Sequence, residues 1–295
     1  MSILNCNECP RNCGVARTEY NGTGFCKMGS EPVVAKATAH LWEEPYISGT
    51  KGSGAVFFSG CTLRCIYCQN YKISANGFGK HISTQNLADI YKNLYEQGVH
   101  NINLISGSHF VTSIIKSLDL YKPPIPIIYN CSGYESVESV KRLNGYVDVF
   151  LPDFKYANDE LAVKYSKAPN YTQTAIDSIR QMIIQTGSPV FDSDSLITSG
   201  TVIRHLVLPS NTRNSIAVLN IIKENFGEKV LVSLMSQYLP FGDLTDYNEI
   251  NRKITKREYE KVVTVLINLG LDGFLQELSS AKKQFVPDFD LTGIV

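Results

Sequence analysis

The stretch Ala55-Val-Phe-Phe-Ser-Gly-Cys61-Thr-Leu-Arg-Cys65-Ile-Tyr-Cys68 constrains this chain more tightly than any other part of its sequence. An apolar run, 55–58, leads into three cysteines that lie within eight residues of one another. Three thiolates this close can converge on one metal centre, whereas three cannot pair among themselves as disulfides. A cubane of four irons needs four ligands, so a loop that supplies three leaves one iron open to another molecule. The stretch therefore predicts a metal-binding loop after a short strand.

The spacing Cys-x3-Cys-x2-Cys, with Tyr67 just before the last cysteine, resembles the signature of the radical S-adenosylmethionine (SAM) superfamily. The longer segment 57–70, Phe-Phe-Ser-Gly-Cys-Thr-Leu-Arg-Cys-Ile-Tyr-Cys-Gln-Asn, is similar to the corresponding stretch of pyruvate formate-lyase activating enzymes. The resemblance implies that Cys61, Cys65 and Cys68 hold a [4Fe-4S] cluster and that SAM chelates its fourth iron. Tyr67 is then a candidate for contact with SAM. A zinc knuckle is the alternative, but structural zinc sites usually close with four protein ligands.

Length and charge exclude several classes of function. With 295 residues, the chain can form one large α/β domain or two ordinary ones. Its 28 basic and 28 acidic residues cancel, so no overall field attracts nucleic acid or an anionic membrane, and we expect neither partner. The N-terminus lacks the pattern of a signal peptide, and we expect a cytoplasmic protein. In that reducing compartment eight cysteines indicate metal or redox chemistry rather than disulfides.

After residue 80 short apolar runs alternate with longer helical segments, which predicts a parallel sheet with crossover helices. Periodicity alone does not distinguish an open doubly wound sheet from a partial barrel. The resemblance implies the second, a partial (β/α)6 barrel of the radical SAM type with an N-terminal cysteine-rich extension. The predicted strands are 55–59, 101–105, 125–130, 147–151, 202–208 and 230–235. The predicted helices are 84–97, 111–120, 137–143, 159–186, 215–225 and 256–269, while 188–200 is expected to be a loop and 271–278 a short closing element.

A second group of cysteines precedes the loop. Seven of the eight cysteines fall in the first 68 residues, and four of them are spaced Cys6-x2-Cys9-x3-Cys13-x12-Cys26. Four thiolates can close a tetrahedral zinc site or hold a second iron-sulfur cluster, and the sequence leaves both open. We therefore predict a cysteine-rich metal-binding segment over residues 1–50 and a radical SAM partial barrel over 51–295.

The predicted strand ends carry candidate SAM ligands. Asp153 and Lys155 follow the fourth strand on alternate positions, so they point to the same side of an extended segment. They resemble the Asp-x-Lys element of activating enzymes, which implies contact with the ribose and methionyl parts of SAM. Arg204 resembles an arginine found at this place in related enzymes, which implies contact with the SAM carboxylate. Its neighbour His205 must face the opposite way, and we expect it to be structural or exterior.

The second and third strands add smaller groups. Asn130 and Ser132 end the third strand with polar groups suited to hydrogen bonding with a nucleoside. Ser106 and Gly107 lie where many radical SAM proteins carry a Gly-Gly-Glu-like loop, although the acidic residue is missing here. Two further predictions concern single residues. His109 either lines the substrate side or caps the next helix, and Cys131 is a buried or semi-buried thiol.

The resemblance implies reductive cleavage of SAM to methionine and a 5′-deoxyadenosyl radical, which abstracts hydrogen from a substrate. That substrate is either a glycyl residue of a partner glycyl radical enzyme or a different peptide or small molecule. A flavodoxin or ferredoxin is the expected electron donor. The alternative from another class is a zinc-stabilised binding protein in which both cysteine groups are structural and no reaction is catalysed.

Overall fold

A single large sheet organises the chain. The computed structural model describes residues 5–280 and 287–294. The first four residues, which belong to the segment considered for a signal peptide, lie outside the described residues. Its strands run in the spatial order β10-β9-β8-β6-β5-β4-β2-β1-β3, and β7 pairs with β8. The strands are β1 (Val33–His40), β2 (Ser53–Phe58), β3 (Lys80–His81), β4 (Ile102–Ile105), β5 (Ile127–Cys131), β6 (Val149–Pro152), β7 (Val190–Phe191), β8 (Ile197–Leu206), β9 (Leu231–Met235) and β10 (Gly273–Leu275).

Six neighbouring strands, β2, β4, β5, β6, β8 and β9, pair in parallel. They correspond to the six predicted strands, so the predicted partial (β/α)6 barrel is confirmed. The short β10 continues the parallel run beyond β9, within the segment predicted as a closing element. Because parallel neighbours end at the same edge, the segments that follow these strands meet at one mouth of the barrel.

The crossover helices mostly match the predicted spans, and one prediction is wrong. The predicted helix 159–186 is two helices, because Lys167 and Asn170 adopt left-handed φ values of 51° and 53° around Pro169. The helices are α1 (Pro45–Ser48), α2 (Tyr71–Ser74), α3 (Thr84–Glu96), α4 (Val111–Leu120), α5 (Val137–Arg142), α6 (Asp159–Ser166), α7 (Tyr171–Thr186), α8 (Thr212–Phe226) and α9 (Lys256–Asn268).

Antiparallel strands flank the parallel run, and the sequence did not predict them. β1 pairs antiparallel with β2 and also carries β3 at the sheet edge. The segment 188–200, expected to be a loop, contains β7 and the start of β8, which form an antiparallel pair. The sheet thus begins at Val33, before the predicted domain boundary at residue 50, which stays a prediction.

Alternate residues of the strands bury their side chains on opposite faces, as the two-residue period of a strand requires. Val56, Leu104 and Phe150 pack toward the helices in the main core. Inside the barrel, Ile128 and its neighbours on adjacent strands pack against Tyr46 of α1, which fills the end opposite the mouth. None of the helices in the described parts of the chain is long and apolar enough to cross a membrane.

Candidate functional site

One cavity lies at the barrel mouth, where the parallel strands end. The cysteine loop that follows β2 forms one wall, and polar residues at the ends of β4, β5, β6 and β8 form the others. This placement follows the general rule that ligands bind beyond the carboxyl ends of parallel strands. The predicted residues that line the cavity are Cys61, Cys65, Tyr67, Cys68, Ser106, Asn130, Ser132, Asp153, Lys155 and Arg204.

The cysteine loop is held tightly against the rest of the protein. Gly60 enters it at a φ of 80°, where a Cβ would lie 2.5 Å from Met28 Cγ, so only glycine fits. Cys65 is buried, and the hydroxyl of Ser166 donates a hydrogen bond to its Sγ at 2.9 Å. Burial raises the pKa of Cys65 to about 12 although Lys155 lies nearby, so metal binding must displace a proton from this thiol.

The donor set of the loop suits a cluster with one open iron. Cys61, Cys65 and Cys68 are three thiols on one short loop, whereas a structural zinc site usually closes with four protein ligands. Three thiolates can hold three irons of a cubane and leave the fourth open. Cys61, Cys65 and Cys68, which open onto one cavity, therefore fit a [4Fe-4S] cluster.

A chain of hydroxyl groups supports the loop from behind. The hydroxyl groups of Tyr67 and Tyr156 are 2.7 Å apart, and that of Tyr156 is 2.6 Å from the Ser166 hydroxyl. Since Ser166 in turn bonds Cys65, the chain fixes the side chain of Tyr67 relative to the buried thiol. The network explains why Tyr67 is buried at the cavity wall. In the sequence, Tyr67 was a candidate ligand only because it lies just before the last cysteine of the loop.

Asp153, Lys155 and Arg204 form an ion network in the cavity wall. Asp153 accepts from Lys155 Nζ at 2.6 Å and from Arg204 Nε at 3.0 Å. Arg204 also donates to the side-chain oxygen of Asn130. Burial favours the neutral carboxyl group, but the charges of Arg204 and Lys155 outweigh it and hold the pKa of Asp153 below its usual range. The wall therefore presents an ionised carboxylate and two cations.

Sequence reasoning missed Glu43, which also faces the cavity. Its Oε2 lies 3.7 Å from Arg204 Nη1, and burial together with the adjacent Glu44 raises its pKa to about 7. Trp42 lines the cavity next to it and is 62% exposed, so the cavity is open to solvent on this side. Neither residue belongs to a recognisable motif, and they reach the barrel through the segment between β1 and α1.

Of the predicted ligands, Gly107 does not line the cavity. A Cβ at this position would lie 2.6 Å from Ile114 Cδ1, so the residue allows α4 to approach the sheet closely. Ser106 precedes it with a φ of 63° and does reach the cavity. The carboxyl group of Glu135 approaches this turn, since its Oε1 accepts from Ser108 at 2.7 Å, but Glu135 is buried outside the cavity.

Three further predictions concern His109, His205 and Cys131. His109 is buried and holds the cysteine loop, since its Nε2 is 2.8 Å from the carbonyl oxygen of Ser59; it neither lines the cavity nor caps α4. His205 is buried between the carbonyl oxygen of Phe154 and the hydroxyl of Ser215, in agreement with the structural role predicted for it. Cys131 is 2% exposed, which confirms a buried thiol.

The leader cysteines lie close together beside the barrel. Gly14 donates to Cys6 and Cys6 donates to Val15 through backbone bonds of 3.0 Å, which fold the segment into a tight loop. Cys6, Cys9 and Cys26 are buried, and Cys13 is exposed. Burial raises the pKa of Cys9 to about 12, and the neighbouring Cys26 and Cys6 add to this effect.

Arg17 gives the leader an unusual electrostatic character. It is 2% exposed, and its guanidinium donates to three backbone carbonyls and, at 3.6 Å, to Cys6 Sγ. Within the described ranges no carboxylate forms an ion pair with it. Arginine keeps its charge in proteins, and an unpaired buried charge is costly. The four cysteines therefore fit a centre that carries negative charge beside Arg17, as a set of thiolates would.

Comparisons with known proteins agree with this geometry. The model of the radical SAM superfamily matches residues 55–219. An uncharacterised protein of Methanocaldococcus jannaschii, MJ0674, is 31% identical over 278 residues, which cover 91% of this chain and 76% of the relative.

Among solved structures, SuiB of Streptococcus suis bound to its precursor peptide SuiA superimposes with a TM-score of 0.49 and 15% identity. The match covers 75% of this chain and 48% of SuiB, so the chain spans about half the length of that relative. A domain of the pyruvate-formate lyase-activating enzyme of Bacteroides vulgatus gives a TM-score of 0.40 and 13% identity, covering 57% of this chain and 89% of that domain. From the superfamily match and the relative in Methanocaldococcus jannaschii, we conclude that the chain belongs to the radical SAM superfamily.

Proposed function

We propose that the protein is an activating-enzyme-like radical SAM oxidoreductase of the reducing cytoplasm, with Cys61, Cys65 and Cys68 as the ligands of its [4Fe-4S] cluster. Membership of the superfamily implies the cluster and SAM. When both are bound, they supply a one-electron cleavage of SAM that yields methionine and a 5′-deoxyadenosyl radical able to abstract hydrogen from a substrate. One observation carries the assignment to these residues: the three thiols and the Asp153 network line one cavity.

The charged wall suits the polar parts of SAM. Lys155 and Arg204 can each donate to a carboxylate, and Asp153 can accept from hydroxyl groups of a ribose. Asp153 stays ionised beside the two cations, so it accepts hydrogen bonds at neutral pH. Asn130 and Ser132 add neutral polar groups on the neighbouring strand end. We infer that these residues orient SAM, while the cysteine loop holds the metal.

Apolar side chains surround the polar groups and restrict water. Phe58 and Leu63 are buried beside the cysteine loop, and Leu206 and Met235 lie on the far side of the cavity. Apolar walls disfavour the entry of water into the space between the thiols and the charged wall. Exclusion of water protects a reactive radical from side reactions, so this lining supports the proposed chemistry.

For the substrate we propose a glycyl residue of a partner protein. The support is the resemblance of segment 57–70 to activating enzymes, together with the solvent-exposed side of the cavity at Trp42, through which an extended peptide can enter. Electrons come from a flavodoxin or ferredoxin in this proposal. The anaerobic protein, mixed with SAM, a one-electron reductant and a candidate partner, should produce the glycyl signal by electron paramagnetic resonance (EPR). A partner with its glycine replaced by alanine should give no such signal.

We further propose that Cys6, Cys9, Cys13 and Cys26 hold a second centre. The buried guanidinium of Arg17 supports it, because a set of thiolates supplies the negative charge that this side chain lacks among the described residues. Four thiolates can hold either a zinc ion or an iron-sulfur cluster, and the proposal includes both. Quantification of iron, acid-labile sulfide and zinc in protein purified without oxygen tests both centres together.

The decisive experiment compares two buried cysteines. After anaerobic reconstitution, Cys65→Ala should lose the SAM-dependent EPR signal and form no 5′-deoxyadenosine, whereas Cys131→Ala should keep both. Cys131 is the matched control because it is also buried, lines the same cavity and lies outside the cysteine loop. SAM cleavage by Cys65→Ala would refute the assignment. About two zinc ions per chain without iron or sulfide would instead favour the zinc-stabilised binding protein.

A further inference from the structure

Arg11 joins the leader to the catalytic loop. Its Nε donates to the carbonyl oxygen of Thr62, inside the cysteine loop, at 2.8 Å. Its two terminal nitrogens donate to the carbonyl oxygens of Lys167 and Ser166 at the end of α6. One guanidinium thus holds together three parts of the chain: the leader, the loop that follows β2, and the helix end that supplies the hydrogen bond to Cys65.

Aromatic rings fix the side chain in this position. The guanidinium carbon lies 3.8 Å from the ring centroid of Phe25, which also belongs to the leader, and 5.5 Å from that of Tyr134. A cation stacked on an aromatic face is both attracted and restricted in its motion. Arginine suits this place better than lysine, because its planar fork can serve several carbonyls while it stacks.

The charge of Arg11 acts on both cysteine groups. Burial lowers the pKa of Arg11, while Tyr134, Cys9, Cys61 and Cys65 are near enough to stabilise the guanidinium by Coulomb interaction when they are ionised. Its hydrogen-bond acceptors are all neutral carbonyl oxygens, and no carboxylate in the described parts of the chain pairs with it. The positive charge is therefore not cancelled locally, and the two cysteine groups are the anionic partners available when they bind metal.

We propose that Arg11 tunes the catalytic cluster from the leader: its positive charge raises the reduction potential of the cluster held by Cys61, Cys65 and Cys68. The inference rests on the proposed function, which places the cluster on these cysteines. A cluster gains one negative charge on reduction, so a nearby uncancelled cation stabilises the reduced form. Net charge and hydrogen bonding near the sulfurs are known determinants of such potentials.

Three variants of the protein separate the effect of the charge of Arg11 from the effect of its shape. Arg11→Gln removes the charge and keeps a polar side chain, Arg11→Lys keeps the charge and loses the fork, and Arg180→Gln is the control. Arg180 is an exposed arginine on α7 that contacts Asp177 and Asn225. The measurement is an EPR-monitored redox titration, restricted to the signal that SAM perturbs, so that it reports the cluster with an open iron and not the leader centre.

For Arg11→Gln we expect the ratio of reduced to oxidised cluster at a given potential to fall at least tenfold, which is 59 mV for a one-electron couple. Arg11→Lys should shift by less than half as much, and Arg180→Gln should match the wild type. An unchanged potential in Arg11→Gln, or equal shifts in the Gln and Lys variants, overturns the proposal. Should Arg11→Gln not retain iron, retention by Arg11→Lys supports the role of the charge, and equal loss overturns it. If the wild type shows no SAM-perturbed signal, the proposed function itself fails.

Discussion

Replacement of Asp153 by asparagine tests the ion network of the cavity wall. The carboxylate neutralises two cations, Lys155 at 2.6 Å and Arg204 at 3.0 Å, whose side chains are 17% and 13% exposed. Removal of one member of a buried ion pair costs about 3–5 kcal/mol, because the remaining charge is left without a partner. Here Arg204 keeps Glu43 at 3.7 Å, and asparagine retains one acceptor oxygen. We therefore expect Asp153→Asn to lower the free energy of unfolding by about 3 kcal/mol, the lower end of that range.

The assay is urea unfolding at neutral pH, followed by far-ultraviolet circular dichroism under anaerobic conditions. If the loss comes from an unpaired Lys155, the double variant Asp153→Asn/Lys155→Met should be more stable than Asp153→Asn alone by about 1 kcal/mol or more. The single variant Lys155→Met is the control that completes the cycle. A loss below about 1 kcal/mol in Asp153→Asn, with no coupling to Lys155, would show that solvent screens the network and would refute the reasoning.

The effect of Asp153→Asn on stability should also depend on pH, in a direction that follows from the pKa of Asp153. The pKa of Asp153 lies below its usual range in the folded protein, where burial is outweighed by Arg204 and Lys155. Its contribution is therefore complete above the unfolded-state pKa of about 3.9 and is lost as the pH falls through the folded-state value. The difference in stability between wild type and Asp153→Asn should shrink in acid, and a difference that grew as the pH fell would contradict this assignment.

Two other substitutions test the same wall. Burial and Glu44 raise the pKa of Glu43 to about 7, so the stability of the wild type should fall as the pH rises from about 4 to about 7. Glu43→Gln removes this dependence. Its free energy of unfolding, from urea midpoints, should rise relative to wild type by about 1–3 kcal/mol between about pH 5 and about pH 8. Parallel pH profiles of the two proteins would refute it. Gly133 and Gly145 have φ values of 73° and 81°, but a Cβ lies 2.0 Å from Asp153 O only at Gly133. Gly133→Ala should therefore be about 2 kcal/mol less stable than its control Gly145→Ala, and equal losses would show that the backbone yields.

The parallel core of the fold could be predicted because its strands are continuous apolar runs. Strands of this kind are buried on both faces, and helix α4 matches its predicted bounds, 111–120, residue for residue. The break between α6 and α7 was missed although Pro169 signals it, because the apolar pattern continues on both sides. β1 was missed for a different reason. Its sequence, Val-Val-Ala-Lys-Ala-Thr-Ala-His, is rich in alanine, which strands disfavour, and only pairing with β2 fixes it as a strand.

The residues of the cavity differ in the same way: some could be predicted from the sequence, and others only from the tertiary structure. Cys61, Cys65 and Cys68 are neighbours in sequence, so their spacing alone brought them together. Asp153 and Arg204 lie on separate strands, and they could be placed in one cavity because parallel strands end at the same edge. No such rule of sheet geometry applies to Glu43 and Arg11. Each comes from outside the parallel sheet, and only the tertiary structure shows which strand end or loop it contacts.

Lys155 connects the two halves of the cavity. It binds Asp153 at 2.6 Å, and its charge also lowers the pKa of Cys65, which burial otherwise raises. A side chain shared in this way responds to the charge on either wall. Removal of the Lys155 charge should therefore affect both groups. The pKa of Cys65 should rise further, and Asp153 should keep Arg204 at 3.0 Å as its partner cation.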